Sequence, residues 1–166
     1  MVKRILIVTF IAFLAVMIYN PIVFFQKESG LPTSTKFYQG QIFTLRKLLR
    51  PTDAKSKVYI IIDREEREYI SSSWKKHRVL KTNDQKLINE LLNIEFRYTE
   101  SDVATIGSRI IIYSGRKVAY SSSISLDSAN LGIQSRYLGW SVPKESQKLL
   151  NVCSKFDSYY MPVLIL

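Results

Sequence analysis

An uncharged run near the N-terminus constrains this chain more than any other feature of its sequence. Lys3 and Arg4 come directly before it, and no charged side chain then occurs from Ile5 until Lys27. A helix rises about 1.5 Å per residue, so about 20 apolar residues cross the hydrocarbon core of a bilayer, which is roughly 30 Å thick. The sequence therefore predicts a transmembrane signal-anchor helix over residues 5–25.

Two other interpretations of this segment remain open. A cleaved signal peptide also starts with basic residues and an apolar run, and cleavage would leave a secreted binding module. Small residues should then precede the cleavage site, but the residues near the break in the apolar segment are Ile18, Tyr19, Asn20 and Pro21, which are poor candidates. The other interpretation is a core helix of a soluble domain, which would need burial on every side because no face is polar. We expect the segment to be retained as an anchor.

The basic residues at the N-terminus indicate an orientation. Lys3 and Arg4 favour the cytoplasmic side of a membrane, although Lys27 at the other end weakens the charge bias. Residues 1–4 are therefore predicted to form a short cytoplasmic tip of a single-pass protein. The rest of the chain is predicted to be extracytoplasmic.

The polar composition of residues 26–36 predicts a linker. Residues 37–166 are long enough to form one domain with its own core. The chain has one cysteine, so it forms no intrachain disulfide. Cys153 follows Val152 in the apolar stripe of a helix, and we expect a buried core thiol.

Local patterns predict an α+β domain with one mainly antiparallel sheet and about three helices. The predicted strands are 58–63, 68–74, 77–82, 108–113, 117–127, 131–140 and, unless it packs as an apolar tail, 161–166. The predicted helices are an amphipathic one over 37–50, one that follows a capping box at Thr82 and Gln85, and one that begins near Pro143. Residues 96–108 are expected to be a polar connection.

The chain is strongly basic, with 24 Lys and Arg against 14 Asp and Glu and a formal charge of +10. Residues 36–166 carry 21 against 13 of these residues, which leaves +8. A basic domain beside a membrane favours anionic lipid headgroups, anionic wall polymers or an acidic protein partner. Nucleic acid is not the expected partner, because the expected side of the membrane holds little of it.

No motif for a catalytic site, a cofactor or a metal occurs in the sequence. The densest group of carboxylates is DREERE, residues 63–68, and it supports an envelope hydrolase as a rival hypothesis. Because Arg64 and Arg67 alternate with the acidic residues, a solvated hairpin turn is the preferred interpretation. The one histidine, His77, lies in the basic run KKHR and is predicted to be a solvated residue at a strand edge.

Two serine stretches, 71–73 and 121–123, lie beside aromatic residues and suggest an exposed recognition surface. In strand 117–127, alternation predicts two different faces. One face carries Val118, Tyr120, Ile124 and Leu126. The other carries Ala119, Ser121, Ser123 and Ser125, and it is expected to be exposed to solvent. The candidate partner-binding residues are Trp74, Lys75, Lys76, Arg78, Tyr120, Tyr137 and Trp140. The sequence thus predicts a non-enzymatic, membrane-anchored binding protein, either an accessory subunit of an envelope complex or an immunity-type inhibitor.

Overall fold

The computed structural model describes residues 2–24, 37–49, 55–70, 77–101, 106–135 and 139–166. The helices of this part of the chain are α1 (Val2–Tyr19), α2 (Leu45–Leu48), α3 (Gln85–Leu92) and α4 (Ser146–Ser154). Its strands are β1 (Ile22–Phe24), β2 (Ile42–Thr44), β3 (Ser56–Ile61), β4 (Val79–Thr82), β5 (Glu95–Tyr98), β6 (Arg109–Ser114), β7 (Lys117–Ser125), β8 (Gly132–Ser135), β9 (Gly139–Pro143), β10 (Asp157–Ser158) and β11 (Val163–Ile165).

A nine-stranded sheet forms the centre of the domain, in the order β10-β4-β3-β6-β7-β8-β9-β5-β2. Every neighbouring pair of strands in this sheet is antiparallel. Antiparallel neighbours can be joined by short turns, as at Gly115, whose positive φ of 61° closes the hairpin between β6 and β7. The predicted α+β class with a mainly antiparallel sheet is confirmed.

Helices α3 and α4 pack on one face of this sheet, which we call the helix face. The sequence of α3 predicts a buried stripe of four residues, Leu87, Ile88, Leu91 and Leu92. Ile88, Leu91 and Leu92 are buried in the main core as predicted, whereas Leu87 is half-buried. The N-cap of α3 is Asp84 rather than Thr82, because Asp84 Oδ1 accepts a hydrogen bond from the Lys86 amide at 2.8 Å. Helix α4 buries Leu149, Val152 and Cys153, which confirms the core position of the thiol.

The described residues 37–49 do not form the helix that is predicted over 37–50. Gly40 has a φ of 81°, which a right-handed helix cannot contain, and β2 follows it. Phe43 pairs with Phe96 of β5 and is buried, so α2 is left as a single turn. Strand β5 also replaces the expected polar connection that began at residue 96.

A β-bulge changes the face of the sheet on which part of β7 lies. Tyr113 pairs with Val118 and Ile112 pairs with Tyr120, which leaves Ala119 as the extra residue. Val118 therefore contacts the second apolar cluster, whereas Tyr120 enters the main core on the helix face. The predicted alternation, with both residues on the same face, is wrong because the bulge shifts the register by one residue.

The other face of the sheet is partly covered by a separate two-stranded sheet, in which β1 and β11 run parallel. The inward residues of this small sheet are Val23 and Leu164, and they pack with Leu166 against Ile61, Val79 and Ile111. Residues 161–166 therefore do contribute a strand, but its partner is β1, from the segment predicted to be the end of the anchor. This contact joins the two ends of the chain.

Helix α1 projects from the domain and ends earlier than predicted. All described side chains from Lys3 to Val16 are exposed, so this is not a core helix of the domain. It ends at Tyr19, because Pro21 cannot continue a helix and residues 22–24 pair with β11. Its apolar part, from residue 5 to residue 19, is about 22 Å long at 1.5 Å per residue. The expected transmembrane helix over 5–25 is not found: no helix in the described ranges is long and apolar enough to cross a membrane.

The predicted linker, 26–36, and most of the predicted strand 68–74 lie outside the described residues. A short 3-10 turn over Glu66–Glu68 precedes that gap. After it, β4 begins at Val79, which places the predicted strand 77–82 within two residues of its observed start.

Candidate functional site

The structure describes three of the seven predicted partner-binding residues, Arg78, Tyr120 and Trp140, and these three do not form one exposed surface. Trp74, Lys75, Lys76 and Tyr137 lie outside the described residues. Tyr120 is only 1% exposed and Trp140 only 6%. Tyr120 pairs with Ile112 on the neighbouring strand, and this register places its ring on the helix face. Trp140 pairs with Gln134, which places the indole on the other face of the sheet. In this structure neither ring is accessible to a partner.

Burial of Trp140 depends on a glycine in the neighbouring strand. The indole ring passes so close to Gly132 that a Cβ added there would lie 2.6 Å from Trp140 Cζ2 and 2.6 Å from the Ser141 carbonyl oxygen. Real Cβ contacts are longer than this, so only glycine fits beneath the ring. Trp140 thus packs closely against the backbone of the neighbouring strand at Gly132, which contributes to its burial.

Arg78 belongs to a different site, where the C-terminal end of α1 meets the domain. Its backbone amide donates to the Tyr19 carbonyl at 3.1 Å, and its Nη1 lies 3.4 Å from the Pro21 carbonyl. Arg67 Nη2 donates to Asn20 Oδ1 at 2.6 Å. Carbonyl groups at the end of a helix lack partners within the helix and carry partial negative charge, so two arginines suit this position. We call these five residues the helix junction.

His77 lies beside the helix junction and is buried, so the prediction of a solvated histidine is wrong. Its ring stacks on Tyr19 with centroids 4.7 Å apart and meets the edge of Tyr160 at the same distance. Tyr19 comes from the end of α1, and Tyr160 precedes β11. The basic neighbours of His77 in the sequence favoured exposure, but two aromatic rings from the ends of the chain cover it.

Two of the four carboxylates of residues 63–68, those of Asp63 and Glu66, hold the turn in place. Asp63 Oδ1 accepts from the Glu65 amide at 3.0 Å, and the Asp63 amide donates to Ser108 Oγ at 2.8 Å. Glu66 Oε1 accepts from the amides of Gly107 and Ser108 at 2.9 and 3.2 Å. The turn is therefore tied to the segment that leads into β6, and it is less solvated than predicted.

The electrostatics of the helix junction are those of a crowded cationic site. Partial burial, followed by repulsion from Arg78 and Arg64, lowers the pKa of Arg67 from its usual value. Attraction to Asp63 acts in the opposite direction. Three guanidinium groups are thus close enough to interact where the exposed helix leaves the domain. Within the described residues, no group of three or more His, Cys, Asp or Glu side chains could hold a metal ion.

No family model, no curated protein and no solved structure matches this chain.

Sequence reasoning missed the apolar surface next to the helix junction. Its exposed members are Ile22 and Phe24 of β1, Val163 and Ile165 of β11, and Tyr160 and Met161 just before β11. The sequence signal was present in the two apolar segments, 22–25 and 161–166. Nothing local to either segment indicates that the two pair with each other.

Proposed function

We propose that this chain is a non-enzymatic, membrane-attached binding protein, held at a bilayer by α1 and recognising a protein or anionic envelope partner through its α+β domain. The observation that carries the proposal is the long exposed apolar surface of α1, which the described part of the domain leaves uncovered. A helix that is apolar all round requires an apolar environment. A lipid bilayer supplies one, and α1 is joined to the domain by direct hydrogen bonds.

Retention of α1 is supported by what cleavage would remove. A cut after residue 25 would release β1, which pairs with β11 and packs on the second apolar cluster. It would also uncover His77 by removing the Tyr19 ring.

The contacts of the turn over residues 63–68 support a binding role over the rival hydrolase. Asp63 and Glu66 accept hydrogen bonds from backbone amides, whereas Glu65 is exposed. A wall-degrading activity of the purified full-length chain that is lost in Glu65→Gln would favour the hydrolase. Recovery of a stoichiometric partner by crosslinking in native membranes would favour the binding protein, either as an accessory subunit or as an immunity-type inhibitor.

Attachment is tested by flotation of the full-length chain with lipid vesicles. In the test variant, Val8→Asp and Ile11→Asp place two charges on the exposed surface of α1. Each aspartate costs about 2.5–3.5 kcal/mol at the centre of a membrane helix, so most of the bound fraction should be lost. The matched control, Ser128→Asp with Ala129→Asp, adds the same charges to an exposed turn and should float like the unmodified chain. Equal flotation of both variants would refute attachment through α1.

A further inference from the structure

The small parallel sheet has one buried face and one exposed apolar face. Ile22, Phe24, Val163 and Ile165 point outward and are between 41% and 67% exposed. The register aligns them in pairs, Ile22 with Val163 and Phe24 with Ile165. We call these four residues the outer patch. Apolar residues that are exposed singly need no explanation, but a contiguous apolar patch usually marks an interaction site.

The covalent path from α1 places the outer patch close to the end of the helix. Ile22 is three residues after Tyr19, and three extended residues span at most about 11 Å. Val163 lies on the neighbouring strand, about 4.8 Å farther away. The headgroup layer on each side of a bilayer is about 5–7 Å deep, given the difference between its total and hydrocarbon thickness. If α1 enters a membrane as far as Tyr19, the outer patch therefore begins within or just beyond the headgroup layer.

The surroundings of the outer patch have the composition of a membrane interface. Tyr19 and Tyr160 are exposed next to it, and tyrosine is enriched at the level of lipid headgroups. The exposed Arg64 and the two arginines of the helix junction add positive charge at the same end of α1. Positive charge of this kind is attracted to anionic headgroups. Apolar, aromatic and cationic groups thus occur together beside an apolar helix.

From these observations we infer that the outer patch is a second membrane contact, which rests in the headgroup layer of an anionic bilayer when α1 is inserted. The inference depends on the proposed attachment through α1. It adds that the domain lies against the bilayer in one orientation, because hydrogen bonds at the helix junction join α1 to the domain and β1 continues from α1. The partner-binding surface would then be sought on the parts of the domain that point away from β1 and β11.

Site-specific fluorescence tests the inference on the full-length chain with Cys153→Ala. An environment-sensitive NBD label is attached to a new cysteine at Phe10 in α1, Ile165 in the outer patch or Lys148 in α4. All three side chains are exposed, and Lys148 lies on the helix that covers the opposite face of the main sheet. With vesicles of phosphatidylcholine and phosphatidylglycerol, we expect a blue shift and a several-fold rise in emission at Phe10 and Ile165, and no change at Lys148.

The possible outcomes separate this inference from the proposed function. A response at Phe10 alone would overturn the second contact and leave attachment through α1 intact. No response at any position would overturn both. A response at Ile165 that rises with protein concentration in the absence of vesicles would show that a second copy covers the patch, which also overturns the inference.

A substitution series gives an independent readout. Phe24→Ser with Ile165→Ser should weaken binding to the same vesicles several-fold while α1 is unchanged. Tyr38→Ser, at an exposed aromatic residue ahead of β2, is the matched control and should bind like the unmodified chain. Equal binding of all three proteins would contradict the inference. Far-UV circular dichroism of each variant, which should be unchanged, excludes loss of β1 or β11 as the cause of weaker binding.

Discussion

Leu164→Ala tests whether the small parallel sheet is an integral layer of the fold. Leu164 is 4% exposed and contacts the cluster formed with Ile61, Val79 and Ile111. Replacement by alanine removes three carbon atoms, and each buried CH₂ contributes about 0.8 kcal/mol, so the transfer loss is about 2.4 kcal/mol. A residual cavity would increase the loss within the observed range of about 2–5 kcal/mol for such changes.

The adjacent residue provides a matched control. Ile165→Ala also removes three carbon atoms from β11, but Ile165 is 67% exposed. With about a third of the side chain buried, the same arithmetic gives a loss of about 0.8 kcal/mol. Both variants lie in β11 and lose the same number of carbon atoms. The difference between their losses in free energy of unfolding therefore measures the effect of burial.

The assay is urea denaturation of the full-length chain in mild detergent, followed by far-UV circular dichroism. We expect the free energy of unfolding of Leu164→Ala to fall by at least about 1.5 kcal/mol more than that of Ile165→Ala, from the two transfer losses. Equal small losses in both variants would refute the packing described here. A loss of amide protection confined to β1 and β11 in Leu164→Ala would show instead that this layer unfolds separately from the main sheet.

Three further predictions concern the main sheet and its helices. Leu91→Ala should lower the free energy of unfolding by about 2–5 kcal/mol, because Leu91 is fully buried; an unchanged denaturation midpoint would contradict its core position. Gly132→Ala should cost about 1–3 kcal/mol and alter Trp140 fluorescence, since the new Cβ would overlap the indole and the Ser141 carbonyl; full stability would refute this contact. Burial raises the pKa of Cys153 from 9.0 to about 12. Between these two pH values the thiol loses its proton in the unfolded chain but keeps it in the folded chain. The free energy of unfolding therefore falls as pH rises from 9.0 towards 12. Denaturation midpoints of the unmodified chain should therefore decline more above pH 9.0 than those of Cys153→Ala, and the native thiol should resist thiol reagents.

Elements with a strong local pattern were predicted from the sequence alone. The stripe of α3 places apolar residues three and four positions apart, and this spacing defines one face of a helix. The run of isoleucines in β6 likewise identifies a strand covered on both faces. Both patterns depend on residues that are neighbours in the chain, so one sequence suffices to recognise them. Alternation in β7 also correctly predicted a strand, but it did not reveal the bulge, and Ser125, expected on the solvent-exposed face, is buried.

Contacts between distant parts of the chain determined the remaining elements and the candidate site. The pattern of residues 37–49 is compatible with a helix, but β2 gains backbone hydrogen bonds to β5 and buries Phe43 against Phe96. Tertiary contacts of this kind outweigh local propensity, which contributes less than about 1 kcal/mol per residue. His77 was misjudged for a related reason, because its covering rings come from opposite ends of the chain.

The candidate site shows most clearly which features the sequence reveals and which features the tertiary structure determines. Sequence alone revealed the apolar N-terminal segment, the arginines of residues 63–68 and the apolar C-terminal segment. Their meeting at the helix junction and the outer patch required β1 to pair with β11 across almost the whole length of the chain. Register and strand choice are set by which apolar faces can be buried together, and that depends on the complete fold.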